Sequence, residues 1–147
     1  MYIIIFLVIL LSCFIIFFEE YIFKTYFDGI EVKKSPIAGN GVFATKNFIV
    51  GEIVEIAPII KEHEDNMKGL FNDYQFRVSP ESSENGIYAL ALGYGGVYNH
   101  SDNHNVAWKI SGNKIIITAI KPIKKGEEIF LTYGQDYWDS RDHVQKE

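Results

Sequence analysis

Three short stretches of the chain hold residue types that could do chemistry. The first, Ser35-Pro36-Ile37-Ala38-Gly39-Asn40-Gly41-Val42-Phe43-Ala44, passes through a glycine-bounded turn. Glycines lack a Cβ and let backbone approach a ligand closely. The second is Tyr98-Asn99-His100-Ser101, which follows Gly93-Tyr94-Gly95-Gly96 and precedes Asn105. An asparagine beside a histidine after an apolar stretch must find partners or a ligand, because unpaired buried polar groups are costly. The third runs through Gly126-Glu127-Glu128-Ile129 and Leu131-Thr132-Tyr133-Gly134 to Tyr137-Trp138. Buried tyrosines want a partner for the hydroxyl. Each stretch alone also reads as plain structure: a turn, a satisfied turn, a piece of core. His100 and His104 could ligate a metal, but no cysteine or carboxylate set completes such a site, so none is expected.

These stretches must be positioned by the elements around them. Alternation predicts strands at Ile30 to Lys34, at Val42 to Thr45, and from Gly51 through Ile56, continued by Pro58-Ile59-Ile60. Apolar or aromatic residues at 67, 70, 71 and 74 give Asp65 to Phe76 a helical spacing. Ser79 to Gly86 reads as a loop, and Ile87 to Leu92 as a strand or short helix. Val106 to Ile110 and Lys114 to Ala119 form a hairpin around Ser111-Gly112-Asn113. Ile129 to Tyr133 is a final strand. The pattern is β-rich, with short strands and no repeat.

The chain has 147 residues and a formal net charge of −5. The first twenty residues carry Glu19 and Glu20 and no basic residue, leaving 17 acidic and 14 basic residues. A mildly acidic domain argues against general binding to nucleic-acid phosphates. The single cysteine, Cys13, excludes an internal disulfide and a cysteine zinc cluster.

From Tyr2 to Phe18 no residue is charged. Seventeen residues as a helix reach roughly 25 Å, enough for a bilayer core with local thinning. Neither a basic leader nor a small-residue cleavage site marks a signal peptide. A transmembrane anchor is expected over 1–20, with a juxtamembrane linker over 21–29. Lys24, Lys33 and Lys34 follow the run and no basic residue precedes it, which places the domain in the cytosol of a single-pass membrane protein.

Taken together, in this order and spacing, the three stretches resemble the opening, asparagine-histidine and closing motifs of the SET-domain family of protein-lysine methyltransferases. The resemblance covers about residues 30 to 141, leaving 142–147 as a polar tail. It is closest to the minimal viral SET proteins that methylate histone tails as homodimers. It implies a β-clip-like fold of several small sheets with a knot-like C-terminal threading. It also implies S-adenosylmethionine as cofactor, held by Gly39, Asn40, Gly41, Asn99, His100 and Tyr133. Tyr133 would be catalytic, and Tyr74 and Tyr137 would wall the lysine channel. The implied partner is a lysine-bearing protein such as a histone tail. A catalytically weak domain serving as a membrane-tethered peptide-binding module is the alternative.

Overall fold

A computed structural model describes residues 28–67, 69–78 and 86–139. The expected anchor over 1–20, most of the linker and the tail lie outside the described residues. No helix among the described residues is long and apolar enough to cross a membrane.

Two antiparallel-rich sheets make the fold. In the first, β1 (Ile30–Lys34) pairs antiparallel with β2 (Asn40–Ala44), and β2 pairs with β9 (Glu128–Leu131). On its far side β9 takes the two-residue β6 (Asn99–His100) as a parallel neighbour. The second sheet has the order β4 (Gln75–Arg77), β5 (Ile87–Ala91), β3 (Ile53–His63), β8 (Lys114–Ala119), β7 (Val106–Ser111). Between the sheets lies a shared core including Val42, Val54, Ala57, Tyr98, Ile117, Ile129 and Leu131. Strand β8 shows why: Ile115, Ile117 and Ala119 are buried while Lys114, Ile116 and Thr118 alternate outward.

Each expected strand segment contains a strand, but β3 starts at Ile53 rather than Gly51 and β9 ends at Leu131 rather than Tyr133; 87–91 is a strand. The helical spacing over Asp65 to Phe76 does not become a helix. Two 3-10 turns, Glu64–Asn66 and Gly69–Asp73, precede strand β4. Gly69 has φ +67°, a left-handed conformation that ends helical propagation. The remainder is too short to repay helix nucleation, and β4 gains a ladder with β5 instead. The α-helix among the described residues is α1 (Gln135–Asp139), within the aromatic third stretch.

Strand β3 departs from simple alternation. Its register with β8 shifts between Ile53 and Glu55, and two successive residues, Val54 and Glu55, both point inward. A bulge inserts one extra residue and flips the phase of the strand beyond it. Glu55 is thereby delivered, fully buried, into the core.

Candidate active site

Tyr133 leaves the end of β9 and is fixed at three points. Its hydroxyl donates to the Tyr98 carbonyl at 2.6 Å. Its backbone N–H donates to His100 Nδ1 at 3.1 Å. Its ring lies 4.7 Å from Tyr137, 5.3 Å from His100 and 5.9 Å, stacked, from Trp138. Because Nδ1 of His100 accepts, its proton sits on Nε2, which faces Asp102 at 3.1 Å. Both ring nitrogens are thus occupied, and among the described residues no group of three or more metal-ligating side chains gathers.

Burial pushes the Tyr133 hydroxyl well above the usual tyrosine range, with Tyr137 and Tyr74 nearby adding to it. The phenol therefore keeps its proton at neutral pH. It can donate a hydrogen bond there and cannot serve as a base.

Beside this tyrosine opens a cleft of about 960 Å³ lined by Tyr74, Phe76, Tyr98, Trp108, Tyr133 and Tyr137, with Glu64, Asp73 and Arg77 also on its wall. The structure thus brings Tyr74 and Tyr137 together with Tyr133. Gly39, Asn40, Gly41, Asn99 and His100 do not line this cleft. They gather around β6, on the first sheet. Asn99 sends its amide hydrogens toward the Ala38 and Asn40 carbonyls, each at 3.2 Å, and Glu128 Oε1 at 2.8 Å. An amide has two donors, and here both are spent on the protein. Gly41 shows the same frame from the other side. A Cβ there would collide with Glu128 Oε1. The missing side chain makes room for the Glu128–Asn99 bond. Asn40 and Gly39 are exposed in the turn, and nothing lies within 4 Å of where a Gly39 Cβ would stand.

A second frame lies on the opposite side of Tyr98. Its hydroxyl donates to Glu55 Oε2 at 2.8 Å, and the Tyr94 N–H donates to Glu55 Oε1 at 2.7 Å. Gly93 leaves the space, since a Cβ there would collide with Glu55 Oε1. Burial raises the Glu55 carboxyl against these two hydrogen bonds, which pull it down. Burial, and then the Glu55 charge, push the Tyr98 phenol well above its ordinary value.

A profile described as SET domain matches residues 39–134. The chain belongs to the SET-domain family. It is 30% identical over 116 residues to a Schizosaccharomyces pombe histone-lysine N-methyltransferase, H3 lysine-37 specific, covering 74% of this chain and 76% of the relative. A Plasmodium falciparum protein assigned as a histone methyltransferase superposes with TM-score 0.62 at 32% identity, covering 75% of this chain and 96% of that one. A fungal polycomb repressive complex 2 bound to S-adenosylmethionine gives TM-score 0.60 at 26% identity, covering 74% of this chain and 15% of that one. By family, then, this SET domain is a protein-lysine N-methyltransferase whose methyl donor is S-adenosylmethionine.

The residues present fit that donor. A sulfonium is a cation, and the His100–Tyr133–Trp138 cluster offers it aromatic faces. In the turn, Ala38, Gly39 and Asn40 are exposed, and Gly39 leaves its backbone open with nothing within 4 Å of where a Cβ would stand.

Glu128, Gly93, Tyr98 and Trp138 lie in stretches the sequence singles out, but it assigns them no role, and it gives Glu55 only a place in a strand. For Glu55 a signal existed: a carboxylate inside an apolar strand that continues past it. The bulge that turns it inward carries no mark in the sequence.

Proposed function

We propose that this SET domain transfers a methyl group from S-adenosylmethionine to the ε-amine of a lysine on a basic protein tail, at a membrane surface. What carries the reading is the Tyr133 hydroxyl, 2.6 Å from the Tyr98 carbonyl inside an aromatic cleft. An amine attacks only when neutral, and a cleft of aromatic walls disfavours its charged form. The bound cofactor supplies an electrophilic methyl on a positively charged sulfur. Tyr133 holds its own proton, so the lysine's proton leaves to solvent before transfer. Tyr133 and the Tyr98 carbonyl then orient the reacting groups, and alignment of this kind supplies much of the rate of a displacement. His100 and Asn99 fix Tyr133 and the opening turn around the donor.

Among the described residues of the cleft wall, Glu64 and Asp73 stand against Arg77, which favours a basic peptide. The histone specificity in the name of the fission-yeast relative supports a histone tail as its source. The uncharged run from Tyr2 to Phe18 supports a single-pass anchor with the domain in the cytosol. Homodimer formation rests on the motif likeness to the minimal viral proteins. Sedimentation of the full chain in detergent tests it.

The function is tested with the full chain in mild detergent and radiolabelled S-adenosylmethionine, offered core histones and a membrane-protein extract separately. Label is expected on lysine. Tyr133→Phe should lower kcat about a hundredfold or more with cofactor affinity unchanged, the size seen when one oriented donor is removed. Cofactor binding with no label on either substrate would leave the peptide-binding reading.

A further inference from the structure

One end of the second sheet exposes apolar side chains that the core could have taken. Ile49 is 72% exposed, Val50 59%, Ile53 48% and Ile120 40%. Backbone hydrogen bonds draw their two segments together. Gly51 N–H donates to the Ala119 carbonyl at 2.8 Å, Ala119 N–H to the Glu52 carbonyl at 2.9 Å, and Phe48 and Ile123 exchange two more bonds. The same two segments carry Lys46, Lys121, Lys124 and Lys125, the last three exposed, with Lys46 paired to Glu52 and Lys121 donating to Asn103. The segments 44–53 and 119–127 hold four lysines against two glutamates, in a chain whose net charge is −5. Both glutamates are engaged. Glu52 is held by Lys46 and by the Ile49 N–H, and Glu127 accepts from the Lys124 N–H.

This is also where the N-terminal part of the chain joins the domain. The Gly29 carbonyl accepts from Thr45 N–H at 2.8 Å, and Gly29 lies directly against the Lys46 side chain. The uncharged run ends at Phe18, ten residues before Asp28. Ten extended residues reach at most about 36 Å. We infer that this end of the domain is a lipid-docking surface: Ile49, Val50, Ile53 and Ile120 enter the interface while the lysines meet anionic headgroups. Exposed apolar side chains in segments that also carry basic ones match what a membrane surface offers. The inference rests on the membrane-anchor reading proposed above. The catalytic cleft is left open to water. Its Glu64 and Met67 wall adjoins the far end of β3, whose eleven residues extend roughly 33 Å.

The test uses the full chain with Cys13→Ser, reconstituted into phosphatidylcholine vesicles with or without phosphatidylserine. An environment-sensitive dye is placed at Val50→Cys or, on the far part of β3, at Lys61→Cys. Lipid-borne quenchers should quench the dye at 50 several-fold more than at 61, and more strongly with phosphatidylserine present. Reversing Lys121, Lys124 and Lys125 to glutamate should lower the docked fraction by about fivefold for each lysine removed, while the chain stays on the vesicles. Equal quenching at 50 and 61 on vesicle-bound protein overturns the docking surface and leaves the anchor standing. A dye at 50 that is equally shielded in detergent assigns the patch to residues 1–27 or to a second copy, and also overturns it. Failure of the chain to associate with vesicles removes both anchor and surface.

Discussion

Neighbouring residues Tyr98 and Asn99 are held by two different sheets through the same device. Tyr98 reaches Glu55 on the second sheet, and Asn99 reaches Glu128 on the first. In each case a glycine, Gly93 or Gly41, gives up its side-chain space to the carboxylate. The two frames differ in what they hold. Glu128 ties Asn99 and the Ser35 hydroxyl, and so secures the opening turn. Glu55 ties Tyr98, whose carbonyl receives the Tyr133 hydroxyl, and it does so in full burial. The first frame should govern cofactor binding, and the second the placement of Tyr133 and overall stability.

The comparison breaks if the two frames respond alike. Glu55→Ala should have the largest effect, about 4 kcal/mol by urea unfolding, because it strands the Tyr98 hydroxyl and Tyr94 N–H and leaves a void. Gly93→Ala and Gly41→Ala should each cost about 2 to 3 kcal/mol by pushing a buried carboxylate off its partners. Only Gly41→Ala should also weaken S-adenosylmethionine binding by calorimetry. Equal cofactor losses in the two variants would merge the frames into one. Tyr98→Phe should cost about 2 kcal/mol and lower kcat several-fold with cofactor affinity unchanged. Ser35→Ala, which removes the hydrogen bond to Glu128 and the one accepted from the Ile37 N–H, should cost about 1 to 2 kcal/mol.

The smallest effect is on pH. The folded pKa of Glu55 is raised above its ordinary 4.5, so the folded state favours the protonated form. The stability this group contributes is present below the unfolded value and is lost as pH rises through the folded one. The stability of the unsubstituted chain relative to Glu55→Gln should therefore decline on going from acid toward neutral pH. A flat difference would show that the two hydrogen bonds balance burial, and a difference that grows toward neutral pH would show that they outweigh it. For Tyr133 the same direction places the loss above the ordinary tyrosine range, so the activity profile should carry no falling limb from this residue near neutrality.

The sequence by itself determined the family, most of the strand pattern and, through the resemblance, the candidate site residues. The motif order across 35–44, 98–101 and 126–134 is linear information, and alternation in segments such as 114–119 comes directly from burying one face. It also determined that Tyr74, Tyr133 and Tyr137 belong together, through the resemblance. Only the tertiary structure decided which groups hold them. Glu55 becomes a core carboxylate because a one-residue bulge reverses the phase of β3, and no residue type announces a bulge. Gly41 and Gly93 are needed because carboxylates 87 and 38 positions away in the chain pass within reach. The helical spacing over 65–76 yielded to 3-10 turns and a strand because β5 offered a ladder, a partner that local periodicity cannot see.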